Sequence, residues 1–220
     1  MIQQYTIYGE RHSGTNFLQN FIDQSFRLSF TSQYGHKHFF TPFHLESSNN
    51  LDNTGFFCIV RNPYDWLVAM YKRPHHCAFS YNSFIGFVTQ QWWSREEFLG
   101  PEIYEDRNWN SGERYKNIFE LRTNKLKYIN ELTMYNKYII QFENFLNLKT
   151  TFYIKQNIAA HFRIPSYEHK IIFKPQKNHF LSINKDAFSY INDNIDWTIE
   201  QNFGYYPFNT FDEFYEAYTH

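Results

Sequence analysis

The chain has 220 residues, and its 21 Lys and Arg against 22 Asp and Glu leave a formal net charge of −1 at pH 7. This length predicts one domain with a full core. The balanced charge supplies no overall basic field for nucleic acid or an anionic membrane, so we expect neither as a partner. No apolar run approaches the ~18 residues of a transmembrane helix, and residue 1 leads directly into a strand-like segment. We therefore expect a soluble, cytoplasmic protein, and two cysteines are too few for a disulfide framework.

The first predicted unit is a strand, a tight loop and a helix. Residues 5–8 form a short apolar strand that is closed by Gly9. After the loop, Thr15 is predicted to cap a helix whose apolar side chains recur at helical spacing. These side chains are Phe17, Leu18, Phe21, Ile22 and Phe26.

The second predicted unit repeats this pattern. Residues 56–60 are continuously apolar, which is typical of a strand covered on both faces of a parallel sheet. The strand is followed by Arg61, and then Asn62 as a cap and Pro63 at a first helical position predict a helix that stops at Pro74.

The rest of the chain continues the alternation of helices and strands. Periodicity fades from 74 to about 114, which indicates an irregular excursion. The later predicted elements are a helix at about 115–133, a strand at 138–142, a helix at about 147–162, an apolar segment at 171–173 and one or two helices running to residue 204. Alternating strands and helices predict a single-domain, three-layer α/β/α fold with a parallel sheet, spanning 1–220.

The first loop has the pattern of an anion site. Residues 9–15 read G-x-x-x-x-G-T between a strand and a helix. In that context the backbone N–H groups and the helix N-terminus point into one hollow, Gly14 permits close approach, and Ser13 and Thr15 add hydroxyl donors. The alternative is a turn whose glycines serve backbone geometry only. The Lys of a Walker A loop is missing and the strand at 56–60 ends in Arg, so a magnesium-dependent NTPase is disfavoured.

Two motifs resemble those of the sulfotransferases that use 3′-phosphoadenosine-5′-phosphosulfate (PAPS). Residues 11–18 (RHSGTNFL) are similar to their 5′-phosphosulfate loop, and residues 59–71 (IVRNPYDWLVAMY) to their 3′-phosphate segment. Residues 141–146 and 200–205 resemble two later family segments, which leaves 74–114 uncovered. The chain departs from the family at His12, where a Lys or Arg is usual, and at Ala69, where a Ser is usual.

The resemblance implies a metal-free sulfotransferase that moves a sulfuryl group from PAPS to an acceptor hydroxyl. A small molecule or a carbohydrate would carry that hydroxyl. Ser13, Gly14, Thr15 and Asn16 would then hold the 5′ end of the co-substrate. Arg61 would contact the 3′-phosphate with its forked guanidinium. Arg11 or His12 would cover the leaving oxygen, where charge develops during transfer.

The acceptor hydroxyl needs a base, and three histidines lie between the two motifs. They are His36, His38 and His44. His38 is preferred because residues 37–40 read as a short strand end with Lys37 as a neighbouring cation, and Glu10 is the fallback.

Several alternatives remain at this stage. The chain could be a non-catalytic nucleotide-binding module on the same fold, or a P-loop kinase. Trp92 and Trp93 either shape an acceptor cleft or pack the irregular excursion. The triplet at 75–77 (HHC) is not predicted to bind metal, because adjacent residues rarely point at one ion.

Overall fold

The computed structural model describes residues 1–38, 51–74, 76–96, 100–108, 110–132, 136–168 and 183–219. Their contacts group into two compact units. The described residues of 1–62 and 131–176 form the first unit, and those of 63–130 and 177–220 form the second. The single domain expected from chain length stays a prediction.

The first unit contains a four-stranded sheet. Its strands are β1 (Gln4–Gly9), β2 (Ser29–Phe30), β3 (Thr54–Val60) and β4 (Lys137–Gln141), in the order β2-β1-β3-β4 with every pair parallel. Gly9 is in register with Ile59, and Val60 with Gln141. The carboxyl ends of β1, β3 and β4 therefore meet at one edge, so the segments that follow these strands are brought together.

Helices α1 (Thr15–Ser25) and α5 (Leu148–Phe162) share a hydrophobic cluster with this sheet. Phe21 of α1 packs edge-on against Phe145, which belongs to a 3₁₀ turn at Phe142–Phe145 directly after β4. Phe57 of β3 is completely buried in the same cluster. These aromatic contacts hold α1 and the 3₁₀ turn at fixed positions beside the sheet edge.

The second unit is helical. Its helices are α2 (Pro63–Lys72), α3 (Phe84–Thr89), α4 (Ile118–Glu131), α6 (Lys185–Asn194), α7 (Trp197–Gln201) and α8 (Phe211–Thr219). Two cations of α4 are buried with carboxylate partners: Arg122 with Glu200, Nη2 to Oε2 at 2.8 Å, and Lys125 with Asp106 at 2.7 Å. These pairs fix α4 to α7 and to the 3₁₀ turn at Tyr104–Asp106.

The α/β class and the parallel sheet are confirmed, and several details of the sequence interpretation are wrong. The N-cap of α1 is Gly14 and not Thr15, which is the first helical residue. Residues 37–38 lie in a turn and not at the end of a strand. Helix α8 was not predicted, and the excursion expected at 74–114 contains α3. The apolar segment at 171–173 lies outside the described residues.

In the described part of the chain, no helix has the length and apolar character needed to cross a membrane.

Candidate functional site

The loop between β1 and α1 is a closed turn with unusual backbone geometry. His12 and Gly14 both have positive φ angles, 62° and 99°, with Ser13 between them. The N–H and the hydroxyl of Ser13 both donate to the carbonyl oxygen of Glu10, at 3.1 and 2.6 Å. Turns with left-handed residues at alternate positions form concave arrays of backbone N–H groups, which are well suited to anions.

Each glycine of the loop meets a different steric demand. A Cβ atom on Gly9 would lie 2.7 Å from the carbonyl oxygen of Ile59 in the neighbouring strand. A Cβ atom on Gly14 would lie 2.4 Å from Cδ2 of Phe142, and its φ angle already disfavours any other residue. The G-x-x-x-x-G spacing is therefore required by close packing against β3 and the 3₁₀ turn, whatever the loop binds.

The turn at residues 37–38 is attached to the first residue of the loop. The N–H of Gly9 donates to the carbonyl oxygen of Lys37 at 3.0 Å, and Nδ1 of His38 lies 2.8 Å from the carbonyl oxygen of Gly9. A carbonyl oxygen only accepts, so Nδ1 of His38 carries the hydrogen and the lone pair of the neutral ring is on Nε2. This orientation is the one that a general base needs.

Two cations of the loop region are close enough to affect each other. Nζ of Lys37 donates to Oδ1 of Asn16 in the first turn of α1. Burial, and after it the positive charge of Arg11, lowers the pKa of Lys37. Lys37 therefore places an ammonium group beside the first turn of α1, close to Arg11.

Arg61 is a third cation at the same edge of the sheet. Its Nη1 atom donates to the carbonyl oxygen of His12 at 3.0 Å, and its Cζ atom lies 4.8 Å from the ring centroid of Phe142. Glu143 holds the segment that follows β3, because its carboxylate accepts the N–H of Asn62 at 2.8 Å. In this structure Arg61 contacts the loop directly.

The structure thus brings the predicted site residues together around one loop. Ser13 and Thr15 are buried, Arg11, His12, Gly14, His38 and Arg61 are half-buried, and Asn16 is exposed. Of the alternative bases, Glu10 is buried in the loop, the ring of His36 lies 5.3 Å from that of His38, and His44 lies outside the described residues.

The sequence interpretation missed Phe142. It packs against Gly14 and under Arg61, and its place directly after β4, within the segment 141–146 that resembles the family, is a signal that could have found it. That position lies at the sheet edge where the loop and Arg61 also meet.

Side chains within the segment expected to be irregular, residues 74–114, pack on and pair with one another. Trp92 is fully buried, whereas Trp93 lies under Arg95 and Arg114, whose Cζ atoms are 4.6 and 3.8 Å from its ring centroid. Hydrogen bonds from Arg114 and Arg107 hold the pKa of Glu102 at about 2. The complete burial of Trp92 favours a packing role for this residue.

Among the described residues, no cluster of three or more His, Cys, Asp or Glu side chains could hold a metal ion. Comparison of the chain with protein-family models, curated proteins and solved structures finds no significant match. Function is therefore inferred from the residues of this chain.

Proposed function

We propose that the chain is a PAPS-dependent sulfotransferase with a P-loop-like strand–loop–helix in a three-layer α/β/α fold. It transfers a sulfuryl group to the hydroxyl of a small molecule or carbohydrate. The observation that carries this proposal is the convergence of the 9–14 loop, the cations of Lys37 and Arg61, and an oriented histidine at one sheet edge.

The 5′ end of the co-substrate is assigned to the loop. A phosphosulfate group carries negative charge on several oxygens, and the loop offers backbone N–H groups at the start of an 11-residue helix. Gly14 leaves the helix N-terminus without a capping side chain, so no side chain of that residue competes with an anion for those N–H groups. Ser13, Thr15 and Asn16 supply further polar groups.

The leaving oxygen is assigned to the cations. Sulfuryl transfer resembles phosphoryl transfer, in which most of the catalysis is positioning and stabilisation of charge on the leaving group. Arg11 and His12 lie in the loop, and Lys37 reaches the first turn of α1 through Asn16. Lys37 offsets the departure of His12 from the family motif, since the charge needs only to be near the bridging oxygen.

The base is assigned to His38. The acceptor hydroxyl gives its proton to Nε2 while its oxygen forms the new bond to sulfur. The bond between sulfur and the 5′-phosphate oxygen breaks, and 3′-phosphoadenosine-5′-phosphate leaves with that electron pair. Donation of Nδ1–H to Gly9 stabilises the imidazolium that forms.

The 3′-phosphate is assigned to Arg61, which follows the carboxyl end of β3 where open α/β sheets bind ligands. A planar guanidinium matches a phosphate with paired hydrogen bonds.

Turnover tests the whole proposal. The protein is incubated with PAPS, EDTA and a panel of hydroxyl acceptors that includes simple sugars and phenols, and formation of 3′-phosphoadenosine-5′-phosphate is followed by liquid chromatography. We expect acceptor-dependent formation that EDTA does not reduce. Tight nucleotide binding with no turnover on any acceptor would instead favour a non-catalytic module, and binding of ATP only with magnesium would favour a kinase.

A further inference from the structure

Arg61 contacts two groups that binding of a 3′-phosphate does not require, the carbonyl oxygen of His12 and the ring of Phe142. It donates to the carbonyl oxygen of His12 at 3.0 Å, in the middle of the loop assigned to the opposite end of the co-substrate. It also lies over the ring of Phe142, whose edge packs against Gly14 in the same loop. Arg61 therefore touches the loop by two routes, one polar and one through an aromatic ring.

The loop conformation is one that requires outside support. His12 has a φ angle of 62°, which a residue with a Cβ atom adopts only where surrounding contacts stabilise it. The contact that Arg61 makes to His12 is to the peptide carbonyl, so it acts on backbone orientation and not on the imidazole. A charge-assisted hydrogen bond to that carbonyl is stronger than a neutral one and has a fixed direction.

The 3₁₀ turn after β4 contributes one contact to Arg61 and one to the residue that follows it. Phe142 begins this turn, and Glu143, the next residue, accepts the N–H of Asn62, which follows Arg61. The carboxyl ends of β3 and β4 are adjacent and in register, so the turn and Arg61 start from neighbouring strand ends.

We propose that Arg61 is a positioning residue for the loop, so that binding of a 5′-phosphate depends on Arg61 even when the ligand has no 3′-phosphate. This inference rests on the proposed function in one respect: the loop is taken to be the site of the 5′ anion. It extends that function, because one residue then links the two ends of the co-substrate site.

Two measurements test the proposal. The first is titration of adenosine 5′-phosphate in EDTA against the unchanged protein, Arg61→Ala and Arg27→Ala. Arg27 is the matched control, since it also stacks on an aromatic ring, Tyr167, with Cζ 4.5 Å from the centroid, but lies beyond the C-terminal end of α1. Loss of a charge-assisted hydrogen bond that shapes the loop corresponds to about a tenfold or larger loss of affinity in Arg61→Ala. Arg27→Ala is expected to bind normally.

The second measurement is hydrogen exchange of the ligand-free protein. Peptides that cover residues 9–16 are expected to exchange faster in Arg61→Ala, and also in Phe142→Leu, which keeps bulk but removes the flat ring. Peptides from the second half of α1 are expected to be unchanged. Arg61→Lys restores a donor without the planar stack, so it should recover part of the protection.

The outcomes separate this inference from the function on which it rests. Unchanged exchange of residues 9–16 in Arg61→Ala would overturn the inference, as would full retention of affinity for adenosine 5′-phosphate. Failure of the unchanged protein to prefer 3′-phosphoadenosine-5′-phosphate over adenosine 5′-phosphate would instead count against the proposed function. Hydrogen exchange requires no ligand, so it tests the role of Arg61 in the loop whether or not the proposed function is correct.

Discussion

Substitution of Gly14 by alanine tests the packing of the loop quantitatively. Two costs combine at this position. The φ angle of 99° costs a residue with a Cβ atom about 1–2 kcal/mol. The new Cβ atom would also lie 2.4 Å from Cδ2 of Phe142, and forcing such a contact costs a further 1–3 kcal/mol or so. We expect Gly14→Ala to lower the free energy of unfolding by roughly 2–5 kcal/mol.

Two comparisons separate these costs. Gly112→Ala meets nothing within 4 Å at a φ angle of 72°, so it reports the conformational cost alone. In a Phe142→Ala background the clash is absent, so the cost of Gly14→Ala should fall by about 1–3 kcal/mol. Urea denaturation followed by circular dichroism measures the four variants of the cycle. An equal cost of Gly14→Ala with and without the Phe142 ring would refute the packing argument.

Three further predictions concern the base, the loop cation and the second unit. His38→Ala should lower sulfuryl transfer about 10²-fold with nucleotide affinity nearly intact, because a general base acts on the acceptor, while His36→Ala should have little effect. Nucleotide affinity should fall as pH rises through the lowered pKa of Lys37, below the usual range for lysine, since the neutral amine no longer attracts the anion, and Lys37→Met should remove this fall in a titration series. Glu200→Gln should destabilise the protein by about 3–5 kcal/mol in thermal or urea unfolding, because the neutral amide takes away the carboxylate charge that pairs with the buried guanidinium of Arg122.

Each of these has a result that would contradict it. Normal turnover in His38→Ala would move the role of base to Glu10 or another residue. An alkaline fall in affinity that persists in Lys37→Met would mean that a different group titrates. For the ion pair, Lys127→Met is the matched control, since the Lys127–Asp196 pair is 3.7 Å apart with Lys127 47% exposed, and such pairs contribute about 0–1 kcal/mol. A similar small effect of Glu200→Gln would show that the buried pair contributes little.

The sequence predicted β1, β3 and β4 because their signals are local, and it did not predict β2, which has only two residues. The apolar runs before Gly9 and before Arg61 depend on neighbours in the chain, and both strands are confirmed. The same holds for Asn147, whose side chain caps α5 where the predicted helix begins. The cap at Thr15 was wrong because Gly14, which has a left-handed backbone and no Cβ atom to clash with Phe142, occupies the capping position.

What the sequence did not contain were contacts between distant segments. The bond from Arg61 to His12 joins residues 49 positions apart, and the hydrogen bond of Asn62 to Glu143 joins residues 81 apart. Neither has a periodic or motif signal, since both depend on strand order. Helix α8 does carry a local signal, since Phe211, Phe214, Tyr215 and Tyr218 recur at helical spacing, and the sequence interpretation overlooked it.

In the proposed function, the site holds an adenine nucleotide phosphorylated at both the 3′ and the 5′ positions without a metal ion. The most direct test is calorimetric titration with 3′-phosphoadenosine-5′-phosphate and with adenosine 5′-phosphate, each in EDTA. We expect the doubly phosphorylated nucleotide to bind about tenfold tighter or more, because a charge-assisted contact to the 3′-phosphate is added, and we expect EDTA to leave its affinity unchanged. Equal affinity for the two nucleotides, or binding of ATP that requires magnesium and exceeds both, would contradict the account.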